Sequence, residues 1–146
     1  MIAGMAAPAR VARAASAGTS LFALTAGGEL VALNASLPNK PSTPRAVAGV
    51  AAGDTLVALD ARPQNGRLYA LGYNSATATV TLYHLAPLTG TATAIGPSGA
   101  FVGANGSTPL PITGARFAIG FNPQADRLRV VSDTGFNFRM NPNTGA

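Results

Sequence analysis

Apolar and polar positions alternate along the chain in short runs broken by Gly, Pro, Asn and Thr, a pattern of strands and tight turns. The runs 21-LFALT-25 and 30-LVALNA-35 flank 26-AGGE-29, whose glycines can supply the left-handed positions of a hairpin turn. Three prolines place 37-LPNKPSTP-44 in a loop or at a sheet edge, because proline cannot donate a ladder hydrogen bond. Beyond it, 45-RAVAGV-50 and 55-TLVALDARP-63 predict two further strands, the second ended by Pro63 and by Asn65-Gly66, a pair favoured by type I′ turns.

The same order then returns. The run 67-RLYALGY-73 matches 20–25, 79-TVTLYHLA-86 matches 30–35, 91-TATAIG-96 matches 45–50, and 116-RFAIGFNP-123 matches 56–63. A third unit opens with 127-RLRVVSD-133 and 136-FNFRMNP-142 and reaches 142-PNTG-145. The stretch 62-RPQNGRLYAL-71 is echoed by 122-NPQADRLRVV-131, and the echo is read as the passage from the last strand of one unit to the first strand of the next. Leu21, Leu68 and Leu128 are thus equivalent, 47 and 60 residues apart; the Gly-, Ser- and Pro-rich stretch 96–114 accounts for the longer interval as loop material.

Four strands per unit at this spacing predict an all-β chain of antiparallel four-stranded repeats, a partial β-propeller of about two and a half blades over residues 20–146. Repetition has a physical purpose, since one four-stranded sheet cannot cover its own two faces and stacked neighbours can. Propellers usually have about four to eight blades. The expectation is therefore a truncated reading frame, or self-association of copies to complete a ring. An ordinary antiparallel sheet or sandwich is the alternative architecture.

Composition changes this picture in three respects. Charged residues are only 10% of the chain against the roughly 25% of ordinary soluble domains, as is common among exported β-proteins. Residues 1–19 form a leader in which Ala15-Ser16-Ala17 resembles an export cleavage site, while Pro8, Arg10 and Arg13 interrupt the apolar stretch that such a signal needs. An export signal and a disordered extension both fit it. The expected location is secreted, periplasmic or at the cell surface. The net charge of +5 includes Arg10 and Arg13, and the rest contains no Lys/Arg block, so no nucleic-acid partner is expected. No apolar run reaches the roughly 18 to 20 residues of a membrane span, so no transmembrane segment is expected either.

Candidate chemistry is thin. There is no cysteine, and His84 is the only histidine, so neither a metal cluster nor another cofactor site is read from the sequence. Five carboxylates, Glu29, Asp54, Asp60, Asp126 and Asp133, are read chiefly as turn caps. The densest charged group is Arg127, Arg129 and Arg139 with Asp126 and Asp133. Alternate strand residues share a face, so Arg127 and Arg129 project together and Arg139 can join them across the 127–142 hairpin. Two readings of this group stand: a ligand site for an anion or carboxylate, and a structural Arg-Asp network that fixes a turn between blades.

The phrase 118-AIGFNPQADRLRVVSDTGFNFRMNPNTG-145 resembles a bacterial family, domain of unknown function 4394, whose repeats look like those of propellers. The matching positions are Asn122, Pro123, Asp126, Arg127, Arg129, Asn137, Arg139, Asn141, Pro142, Thr144 and Gly145, and 59-LDARPQNGRLYALG-72 is similar to the family's earlier repeat. Members are longer than this chain. The resemblance implies a propeller-like fold and export but no reaction, and leaves two functions open: a non-enzymatic binding or scaffolding module, and part of a propeller hydrolase or lyase.

Overall fold

The computed structural model describes residues 20–99, 101, 102, 108 and 110–146; the expected leader lies outside them. Described secondary structure is entirely β. The strands are β1 (Ser20–Leu24), β2 (Leu30–Asn34), β3 (Thr55–Ala61), β4 (Leu68–Asn74), β5 (Thr79–Ala86), β6 (Thr91–Gly99), β7 (Phe117–Asn122), β8 (Arg127–Ser132) and β9 (Asn137–Met140). They form three antiparallel sheets in chain order: β1-β2, β3-β4-β5-β6 and β7-β8-β9.

The division into sheets corrects the expected phase of the repeat. β3 pairs with β4 and β7 with β8, so 62–67 and 122–127 are hairpin turns inside sheets and not passages between them. Of the described sheets, only the middle one is four-stranded. The segment 45–50 is not a strand; it contributes two isolated bridges, Arg45 to Leu30 and Ala48 to Thr91, which tie the first sheet's loop to the second sheet. The turns differ from the expected type I′ as well. Gly66 has φ +64° but Asn65 is not left-handed, and the Gly66 N–H donates to the Arg62 carbonyl at 2.8 Å. In the third sheet the position of Gly66 is filled by Asp126, at φ +47°, where a non-glycine residue is uncommon and Asp among the better tolerated.

The sheets stack in one sense, and strand alternation produces the stacking. On β4, Leu68 and Ala70 face the first sheet while Tyr69 and Leu71 face the third. One core joins Leu30, Phe22 and Leu24 to Leu56, Leu68, Tyr83 and Leu85; the other joins Tyr69, Leu71, Val80 and Leu82 to Leu128, Val130 and Met140. Equivalent residues thus do equivalent work: Phe22 and Tyr69 point to the following sheet, Leu68 and Leu128 to the preceding one. A register shift between Leu56 and Ala58 explains the imperfect alternation of β3, because it turns Val57 and Ala58 to the same core before Leu59 returns to the other.

Polar groups fasten the stack. The Tyr83 hydroxyl donates to Asp54 Oδ2 at 2.6 Å and accepts from the Ala51 N–H at 3.1 Å; burial, then the Asp54 bond, raises its pKa. Removing the hydroxyl in Tyr83→Phe strands a part-buried donor and strips a bond from a carboxylate, so stability should fall by about 1–3 kcal/mol in urea unfolding. The 96–114 stretch also contributes to the core, contrary to its reading as loop material. Ile112 is fully buried between the second and third sheets, its N–H bonded to the Ala78 carbonyl and its carbonyl to the Tyr73 hydroxyl.

Candidate functional site

The five charged residues expected to cluster are separated by the fold into three places. Arg127, Arg129 and Arg139 share the outward face of β7-β8-β9, away from the second sheet, because Leu128, Val130 and Met140 turn inward. Arg129 and Arg139 are direct partners in register, and Gly120 opposes Arg129 on its other side. The shelf around Arg129 is shallow and lined by Ala118, Gly120, Asn122 and Val131. Asp133 sits apart from the arginines, accepting the Ala115 N–H at 3.0 Å, as a turn cap would. Asp126 faces the other way, into the joint with the second sheet.

Arg62, which the sequence reading passed over, is the partner of Asp126. Its guanidinium grips the carboxylate with two nitrogens, Nε at 2.8 Å from Oδ1 and Nη2 on Oδ2, and Nη1 donates to Asn143 Oδ1 at 2.8 Å and to the Tyr69 hydroxyl at 3.3 Å. The two side chains are 8% and 18% exposed, and theirs is the one ion pair among the described residues. The hydrogen bonds to Asp126 raise the Arg62 pKa, and the same contact holds the Asp126 carboxyl below its usual range. A depressed carboxylate stabilises the fold at pH above its ordinary value and loses that contribution as pH falls through its folded value. Asp60 also reaches across this joint, its Oδ2 accepting the Phe121 N–H at 2.8 Å. Of the expected turn caps, therefore, Asp60 and Asp126 hold sheets together instead.

The signal for Arg62 was in the echo itself. Between 62–71 and 122–131, Arg62 stands where the second copy has Asn122, and Gly66 where it has Asp126. These two departures meet across the joint.

The arginine-aspartate contact between these sheets is built on Arg62 and Asp126; Arg127 adds its charge beside Asp126, while Arg129 and Arg139 take no part in it. None of Arg127, Arg129 and Arg139 has an ion-pair partner among the described residues; Arg127 bonds only to the carbonyl of Asp126. The equivalent positions of Arg129 and Arg139 in the second sheet are Tyr69 and His84, also in register, whose rings meet edge to face at 5.9 Å. Where one sheet has an aromatic pair facing its neighbour, the next has two like charges facing outward.

His84 is flanked by Tyr69 on β4 and Thr93 on β6, at the rim of a polar cleft of about 400 Å³ between the second and third sheets. Burial, followed by the nearby Arg67 charge, lowers its pKa, so the imidazole is neutral at pH 7. No described helix is long and apolar enough to cross a membrane. Neither a curated protein nor a solved structure matches the chain. The family model of domain of unknown function DUF4394 matches residues 29–146, most of the chain and every described strand but β1, and the protein belongs to that family.

Proposed function

We propose that the protein is an exported, propeller-type binding module whose ligand surface is the outward face of β7-β8-β9, where Arg127, Arg129 and Arg139 engage carboxylates of an acidic partner protein. The observation that carries this reading is the in-register pair Arg129 and Arg139 without an ion-pair partner among the described residues. Like charges directly opposite each other destabilise a sheet, and an acidic ligand converts that repulsion into paired, charge-assisted hydrogen bonds. Ala118, Gly120 and the exposed Val131 leave room for close approach and some apolar cover. Stacking of successive sheets in one sense supports the propeller part of the reading, and the low charge content with the Ala15-Ser16-Ala17 triplet supports export.

A second copy of the chain is a poorer occupant. Among the described residues its other outer sheet face, on β1, carries Leu21 and Ala23, with Leu21 49% exposed, and Glu29 is the one carboxylate of that hairpin, too few for two guanidiniums.

The test is titration calorimetry with polyglutamate at low salt, comparing the native chain with Arg129→Gln/Arg139→Gln. Binding that weakens as salt rises, and at least tenfold in the double variant, is expected. Equal affinity of the two proteins would refute the assignment.

A further inference from the structure

We propose that the polar cleft between the second and third sheets is a second, separate binding site, one for the phosphate group of a small phosphomonoester, held by Arg67 and His84. The site differs from the outward arginine face in position, composition and size of ligand, and does not depend on that face having a partner.

Its donors outnumber its acceptors. Arg67 leaves the 62–67 turn on the same face of β4 as Tyr69, lines the cleft beside His84, and has no hydrogen-bond or ion-pair partner for its guanidinium among the described residues. The His84 imidazole likewise has no hydrogen-bond partner there, although its ring packs on Tyr69. The Tyr69 hydroxyl accepts from Arg62 and from Asn65 Nδ2 at 3.2 Å, which leaves its own proton to donate. Asn143 accepts from Arg62 through Oδ1, and its amide N–H groups remain. Thr93 adds a hydroxyl from β6.

Charge leads to the same ligand. No carboxylate lines the cleft among the described residues: Asp126 is gripped by Arg62 through two hydrogen bonds, and Asp60, opposite Tyr69 in register, accepts the backbone N–H groups of Ala61 and Phe121, so Arg67 is the lining charge left without an ion-pair partner. A neutral imidazole beside an uncompensated guanidinium gains a proton readily once an anion enters, because the anion offsets the Arg67 charge and accepts the N–H of the imidazolium. Five donor groups on three strands and two turns exceed what the two oxygens of a carboxylate can satisfy, and match the three terminal oxygens of a phosphomonoester. The second sheet's cleft is closed on one side by Pro142 and Asn143 of the third, so the site exists only where two sheets meet.

The experiment follows the His84 imidazole by proton NMR as a function of pH in the native chain, with and without inorganic phosphate, and repeats it with acetate. Phosphate is expected to raise the His84 pKa by at least half a unit, and acetate at the same concentration to raise it by much less. In Arg67→Gln the phosphate response disappears while the remaining spectrum keeps its dispersion. In Arg127→Gln, which removes the equivalent arginine outside the cleft, it persists. An unmoved His84 pKa in tens of millimolar phosphate, an equal response in Arg67→Gln, or an equal effect of acetate would each overturn the proposal.

Discussion

Gly96→Ala should be among the most damaging single substitutions in the protein, lowering stability by about 3–5 kcal/mol, on the scale of the severest point mutations. Gly96 lies in β6 at φ +71° and Gly145 follows β9 at φ +76°; a methyl group on Gly96 would overlap the Thr144 carbonyl oxygen, and one on Gly145 the Ile95 carbonyl oxygen. The two backbones touch, and neither can retreat by changing a rotamer. The left-handed conformation alone costs an alanine roughly 1–2 kcal/mol, and the overlap forces the second and third sheets apart beside the cleft. Gly66→Ala provides the control, since Gly66 has φ +64° but nothing within 4 Å of an added methyl. It should lose only the conformational part. Urea unfolding of the two variants against the native chain separates strain from collision, and equal losses would show that the backbones are not in contact.

Leu71→Ala is expected to cost about 2–5 kcal/mol. Leu71 is fully buried on β4, inside the four-stranded sheet, opposite Leu82 in register and packed in the core shared with Leu128, Val130 and Met140. That core is the interface between two sheets, so a cavity there weakens both. Val131→Ala, by contrast, trims an exposed side chain on the outward arginine face and should change stability by no more than about 0.5 kcal/mol. The comparison, made by thermal or denaturant unfolding, tests which face of the third sheet is packed. A Val131 variant as damaged as the Leu71 variant would mean that the arginine face is covered.

Much of the fold was legible in the sequence, and what was missed has definite physical causes. The runs around Leu21, Leu30, Leu56, Leu68, Leu82, Phe117, Leu128 and Phe138 all became strands, because period-two alternation and turn residues report local geometry. The phase of the repeat was misplaced because periodicity is the same whichever strand is counted first; pairing partners, not patterns, define a sheet. The run 45–50 has strand-like composition but is held by two bridges only. Ile112 was hidden in a stretch whose Gly, Ser and Pro content marks a loop, although a loop residue can still fill a core. At the site, strand alternation correctly placed Arg127, Arg129 and Arg139 on one face. It assigned them Asp126 and Asp133 because these are near in sequence, whereas Asp126 turns in the opposite direction to meet Arg62 across 64 positions of chain.

Both the outward arginine face and the cleft depend on one claim: the second and third sheets are built alike, each opening on the hairpin that carries the echo, and are stacked in the same sense. The direct test is a nuclear Overhauser map of the native chain. The account predicts cross-strand contacts between Leu59 and Ala70 and between Ile119 and Val130, together with ring contacts between Tyr69 and Phe121, whose centroids lie 5.2 Å apart. Contacts of residues 55–61 with 45–50 in place of 68–74 would contradict it, returning the echo to the boundary between sheets and dissolving both proposed sites.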